Sequence, residues 1–245
     1  MKKQAFITFH GTRMTKMAAW MAVLAALLSP VRMCRGQGST PAASPPHRLI
    51  FHPPVASDGA LGERVGGGAR GAGGTDASLV AIVPDQVALT TQEQPSLFWF
   101  QSRQARAQLE LTLIEPGKPQ PLLALGSQST KPGIHRIRLS NHGVKLTPNV
   151  AYKWTVSLVP NPASRSLDVV ATGMVKRIEP TKELTQELAG ATAAERPAIY
   201  AQAGIWYDAL EAISDEIDKH PDDSSLRKER ADLLKQVGLP PMDKQ

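Results

Sequence analysis

Cysteine is nearly absent from this chain. Cys34 is the only one in 245 residues, which excludes a disulfide-rich scaffold and a cysteine-based zinc site. Aromatic side chains make up 5%, and Gly and Pro are frequent, so part of the chain is expected to pack poorly. A membrane-spanning helix needs about 20 apolar residues, whereas the run from Met17 to Leu28 has 12. There is no G-x-S-x-G nucleophile elbow and no HExxH pair. Against these absences stand 42% apolar and 20% charged residues. That balance is globular and excludes a fully disordered chain. The length suits one large domain or two small ones.

The net charge of +6 invites a nucleic-acid reading, but its location argues otherwise. No acidic residue precedes Asp58, and Lys2, Lys3, Arg13, Lys16, Arg32 and Arg35 supply the whole excess. From Gln37 onward the chain has 22 basic and 22 acidic side chains. A neutral balance lacks the electrostatic footprint of a nucleic-acid binder. A basic start, a short apolar run and then small residues form the pattern of a secretory signal. We therefore expect residues 1–36 to be a signal peptide cut between Gly36 and Gln37, with Met14 or Met17 as alternative starts. An uncleaved anchor and a lipoprotein centred on Cys34 are the other readings of the same segment. Export to the periplasm or the extracellular space follows, with membrane contact only through an uncleaved signal.

Residues 37–75 are rich in Gly and Pro, and Phe51 is their only aromatic. Such a stretch buries too little apolar surface to offset its ordering entropy. It reads as a disordered leader, with Leu49-Ile50-Phe51 as a patch that pins it to the body. Over 76–178 the period becomes two. Ala107 to Leu113, Tyr152 to Leu158 and Leu167 to Val175 alternate apolar and polar residues, the mark of half-buried antiparallel strands. Leu79–Val83, Leu97–Gln101, Leu122–Leu125 and Ile134–Leu139 are further candidates. Seven short strands in about 100 residues predict an all-β immunoglobulin- or fibronectin III-like sandwich. Leu146, Pro148 and Tyr152 fit the corner before its penultimate strands, with Tyr152 bonding the backbone just upstream.

Residues 179–245 turn helical. Leu184 and Leu188 mark a first helix, and Ile199, Ala203, Trp206, Leu210, Ile213 and Ile217 follow at helical spacing. Leu226, Leu233, Leu234 and Val237 form a last segment, ended by Gly238 and Pro240. Tyr200 to Pro221 resembles part of one tetratricopeptide repeat. A lone repeat cannot cover its own apolar face, so these helices must dock on a neighbour. Residues 37–178 carry 14 basic and 8 acidic groups, and 179–245 carry 8 and 14, a charge split that favours docking.

Several constellations have bland readings that outweigh sharper ones. Gly66-Gly67-Gly68-Ala69-Arg70-Gly71 satisfies G-x-G-x-x-G, but Pro-rich sequence precedes it and Gly73-Gly74 stand where a helix should open. It reads as a permissive loop. His47 and His52 are weak candidates for a stray metal, and His135 shares a strand face with Ile137 and Leu139. Asp215/Glu216 and Asp222/Asp223 read as a solvated acidic face. Arg136, Arg138, Lys153 and Lys176 read as a solvated sheet face, with a cationic patch as the functional alternative. Phe98-Trp99-Phe100 reads as a central strand between core and helices, with an exposed sugar-binding strip as the alternative. No cofactor or metal is expected.

Together these landmarks resemble the domain-of-unknown-function 928 family. The pieces are Ile50-Phe51 with Pro53-Pro54, the run Arg64 to Gly71, Leu79 to Pro84, and Phe98-Trp99-Phe100. Further on come Tyr152 and Trp154, Arg165-Ser166, the strand ending at Arg177, and Gly204-Ile205-Trp206-Tyr207-Asp208-Ala209-Leu210. The similarity runs from about Leu49 to Leu239. It implies one cysteine just after the Gly-rich run and another at the end of the Tyr-x-Trp strand. This chain has Ala72-Gly73 and Val159 there, so the resemblance implies a lost disulfide and places the two near each other. It implies no activity.

The expected function is a non-enzymatic binding or adaptor module that engages a protein partner in the cell envelope. Trp206, Tyr207 and the facing turn of the last helix are the expected contact residues. The alternative is an envelope glycan-binding module or hydrolase, which needs polar groups converging near Trp99, His135 or Arg136.

Overall fold

Alternation and helical spacing become nine strands and four helices in a computed structural model that describes residues 49–54, 64–66, 75–127, 131–239 and 242. The strands are β1 (Val65–Gly66), β2 (Leu79–Ala81), β3 (Ala88–Thr90), β4 (Ser96–Gln101), β5 (Gln108–Ile114), β6 (Leu123–Ser127), β7 (Gly133–Arg138), β8 (Ala151–Val159) and β9 (Val169–Arg177). The helices are α1 (Lys182–Gly190), α2 (Arg196–Gln202), α3 (Trp206–Lys219) and α4 (Ser224–Gln236). The signal segment, Gly36 and Gln37, His47, and most of the Gly-rich run fall outside the described residues.

The strands form two sheets, ordered β1-β2-β4-β7 and β3-β9-β8-β5-β6. Among the described strands all pairings are antiparallel except that β3 runs parallel to β9, with Ala88 opposite Val175, and an isolated parallel bridge joins Pro148 to Arg177. Alternation alone cannot show this. The chain leaves the first sheet after β2, turns at Pro84-Asp85 and joins the second, so β3 meets the last strand in the same direction. The sheets touch where β2 lies against β8 and β9. Strand and helix contents are about equal, so the fold is mixed rather than a β-domain with a small helical appendage.

The helices are part of the core. Leu79, Leu97, Trp154 and Val175 belong to one buried cluster with Trp206, Tyr207, Leu210 and Leu234. Trp206 donates from Nε1 to the Ile82 carbonyl at 2.9 Å. Tyr207 accepts from Trp154 Nε1 at 2.8 Å and donates to the Met174 carbonyl at 2.9 Å. Both aromatic rings of α3 thus find polar partners inside the protein, as buried Tyr and Trp require. The expectation that Trp206 and Tyr207 are exposed contact residues is therefore corrected: each has 0% exposure, because each plugs α3 into the sheets.

Three local expectations hold. Tyr152 accepts at its hydroxyl from the Thr147 N–H at 3.1 Å. Phe98 and Trp99 are buried on an interior strand, Phe98 under α3 and Trp99 toward β5 and β6, so they form no exposed strip. Leu49 and Phe51 are buried, and Phe51 meets Trp206 edge-on with ring centres 5.0 Å apart. Gln236 clasps this segment by accepting from Phe51 N–H at 2.9 Å and donating to the Leu49 carbonyl at 2.8 Å.

The helical spacing from Ile199 to Ile217 suggests one continuous run, but the structure breaks it at Gly204. That residue sits at φ 76°, which glycine adopts without a Cβ clash. A Cβ there would also lie 2.7 Å from the His52 carbonyl.

Gly173 faces Trp154 across β8 and β9, and a Cβ added there would lie 2.5 Å from the indole nitrogen. Gly173→Ala should destabilise the protein by about 1–3 kcal/mol through overpacking. Urea unfolding measures it, and an unchanged midpoint would refute the close fit.

Candidate functional site

Asp208, Glu211, Asp215 and Asp218 recur on α3 at intervals of three, four and three. That spacing places them on one flank of the helix, opposite the stripe of Trp206, Leu210, Ile213 and Ile217. The flank meets the sheets. Asp208 accepts from Thr90 Oγ1 at 2.5 Å, from the Thr91 N–H at 3.0 Å, and from the Thr91 hydroxyl. Glu211 accepts from Ser96 Oγ at 2.6 Å and Gln92 Nε2 at 2.9 Å. Asp215 receives Arg136 at 2.6 Å and Arg138 at 2.8 Å, and Asp218 receives Arg136 at 2.6 Å.

This overturns two expectations. Arg136 and Arg138 do point the same way from β7, but they form neither a solvated face nor a cationic patch, because the α3 carboxylates engage both. Lys153 and Lys176 lie on the other sheet. Asp215 and Glu216 are likewise not a solvated acidic pair: Asp215 takes the arginines, and Glu216 is buried and accepts from Lys219 at 2.8 Å. Asp223 instead caps α4 by accepting from the Ser225 N–H at 2.8 Å. The roles of Asp208 and Glu211 escaped the sequence reading, although the three-four-three spacing of acids carried the signal.

Burial perturbs two groups strongly, and both are committed to structure. The Tyr207 phenol is pushed far up by burial, against the pull of the Trp154 bond. Burial also raises the Asp208 carboxyl to about 6, against the pull of the Thr90 and Thr91 bonds. The partly buried phenol of Tyr200, beside Asp208, is raised by burial and then by the charge of Asp208. Asp208, Glu211 and Tyr200 share a small cleft of about 210 Å³. The carboxylates there already hold the bonds that a substrate would need.

Two larger clefts flank β7. One, of about 600 Å³, lies between β7, α3 and α4. Phe98, Ile134, Ile217 and Met242 wall it, and the Arg136–Asp218 ion pair, Arg227 and Arg230 supply its charged lining. Ser214 also lines it, 4% exposed, with its hydroxyl enclosed and unpaired. The second, of about 510 Å³, opens on the other side of β7 beside Trp99 and His135. His135 stacks on Trp99 with ring centres 5.3 Å apart, and its Nε2 bonds the Lys131 carbonyl at 2.8 Å. Among the described residues, no group of three or more His, Cys, Asp or Glu is placed to hold a metal ion.

A sign follows for Asp208. Its folded value lies above the ordinary 3.8, so the native state binds more protons than the unfolded one between about pH 4 and 6. Stability supplied by the neutral form is lost as pH rises through that window, by roughly 3 kcal/mol. Asp208→Asn should remove this share of the slope in a urea series run from pH 4 to 7. A slope identical to wild type would refute the assignment.

No curated protein and no solved structure matches the chain. Of the places where the resemblance implies cysteines, Ala72 and Gly73 lie outside the described residues, and Val159 is buried at the end of β8. The Gly204 to Leu210 block forms the α2–α3 turn and the plug into the sheets, and Phe98-Trp99-Phe100 forms the strand between the two large clefts. Residues 65–245 match the family described as Domain of Unknown Function (DUF928), and the chain belongs to that family.

Proposed function

We propose that the chain is an exported, non-enzymatic binding module of the cell envelope that seats a protein partner in the cleft between β7, α3 and α4. The observation that carries this reading is the lining of that cleft. Arg227 and Arg230 line it beside the Arg136–Asp218 ion pair and above apolar walls, in a volume typical of binding sites. The partner chemistry that fits is an acidic side chain flanked by apolar ones. The strongly perturbed Asp208 and Tyr207 are held by structural bonds, which favours binding over catalysis. The expected contact surface thus moves along α3 from Trp206 and Tyr207 to Ser214–Asp218, facing Arg227 and Arg230 on α4.

The finer fold reading is an immunoglobulin-like sandwich bearing a tetratricopeptide-like hairpin. The strand order, the parallel β3–β9 pair and the Tyr152 corner support the first part. The packing of α2 on α3 around Gly204 supports the second. Export rests on the basic, then apolar, start of the sequence. The alternative remains a glycan-binding module or hydrolase, favoured by the second cleft, where Trp99 and His135 meet.

Arg227→Glu tests the site. It reverses a charge on the cleft wall at a partly exposed position. A pulldown from envelope extract should retain one stoichiometric protein with wild type and lose it with the variant. Equal retention by both, or retention on polysaccharide alone, would overturn the reading.

A further inference from the structure

The cleft beside Trp99 has a chemistry of its own. It opens between β6 and β7, each the last strand of its sheet. Its walls are the inner-face residues Leu109, Leu111, Leu125 and Ile137. Ordinary sheet packing would press such side chains together; here a gap of about 510 Å³ separates them.

Two observations say what fits the gap. Trp99 is 7% exposed, and its indole N–H is enclosed without a hydrogen-bond partner. The indole thus presents apolar ring surface, rather than its N–H, to the gap. The lining is also of one sign. Its charged members are Lys131 and Arg136, and it has no carboxylate. The sequence has no acidic residue anywhere between Glu115 and Asp168.

We propose that this cleft binds an anionic amphiphile, with a long-chain carboxylate as the simplest case. The carboxylate pairs with Lys131, and the chain lies along Leu109, Leu111, Leu125 and Ile137 beside Trp99. Head and chain each contribute, because the head answers the charge while the chain covers the apolar walls. The site opens on the opposite face of β7 from the arginine cleft and shares Arg136 with it, so its test rests on Lys131 and Leu125, which line this cleft and not the other.

Dodecanoate, dodecanol and acetate separate the contributions, titrated into the purified protein below micellar concentration and followed by tryptophan fluorescence and calorimetry. Trp154 and Trp206 already donate to protein acceptors, and Trp20, the fourth tryptophan, is replaced by Phe for the titration, so Trp99 is the indole expected to respond. Dodecanoate should bind saturably, dodecanol at least about tenfold more weakly, and acetate not at all. Lys131→Glu, at an exposed position, should weaken dodecanoate about tenfold and leave dodecanol unchanged. Leu125→Arg, on the edge strand β6, should block both. Absence of saturable dodecanoate binding, equal binding of dodecanol, or dodecanoate binding indifferent to Lys131→Glu would overturn the proposal. Should Leu125→Arg fail to fold, Lys131→Glu decides alone.

Discussion

Helix α3 is held on both sides, and the rest of the molecule is arranged around that grip. Its apolar stripe belongs to the common core, and its acidic flank meets threonines, a serine and two arginines offered by the sheets. Pulling the helix away would expose Trp206 and Tyr207 and strand Arg136 beside Phe98, over whose ring it lies at 5.8 Å. Removing one partner of a buried, hydrogen-bonded charge costs more than the pair contributes. The helix and sheets are therefore interdependent. Asp208 shows the tension inside this arrangement: three hydrogen bonds favour its charge, and burial opposes it more strongly.

Much of this was legible in the residues. Alternation found β5, β8 and β9, and short apolar runs between turn signals found β2, β4, β6 and β7, of which β2 and β4 are buried almost throughout. Both missed Val65–Gly66 and Ala88–Thr90, which are too short to show any period. The parallel direction of β3 is set by a sheet-crossing turn that no pattern of hydrophobicity encodes. The break at Gly204 was hidden because Ile199, Ala203 and Trp206 keep helical spacing across it. The charge split between the two halves did announce docking, and the ion pairs of Arg136 and Arg138 are its local form.

The site was harder to read than the fold. Trp206 and Tyr207 look like contact residues because aromatics are few and cluster there. Their burial follows from the same scarcity, since a chain with so few large side chains spends them where they anchor most surface. Acids on α3 suggested a solvated face because nothing in a linear string shows that β7 carries arginines at matching height. What remains accessible is the ground on either side of β7, a strand half-buried along its whole length. One cleft beside it is ringed by guanidinium groups and the other by an indole and imidazoles.

The clasp between Gln236 and the Leu49–Phe51 segment has a mechanical consequence. Together with the bond from His52 N–H to the Ala201 carbonyl at 3.0 Å, it staples residues 49–52 to α2 and α4. Tension applied from the amino-terminal side of this segment loads these bonds and the Phe51–Trp206 contact before it reaches any described strand. The first thing to yield under force is then the strap, and the sheets stay intact while the chain lengthens by the few residues it releases.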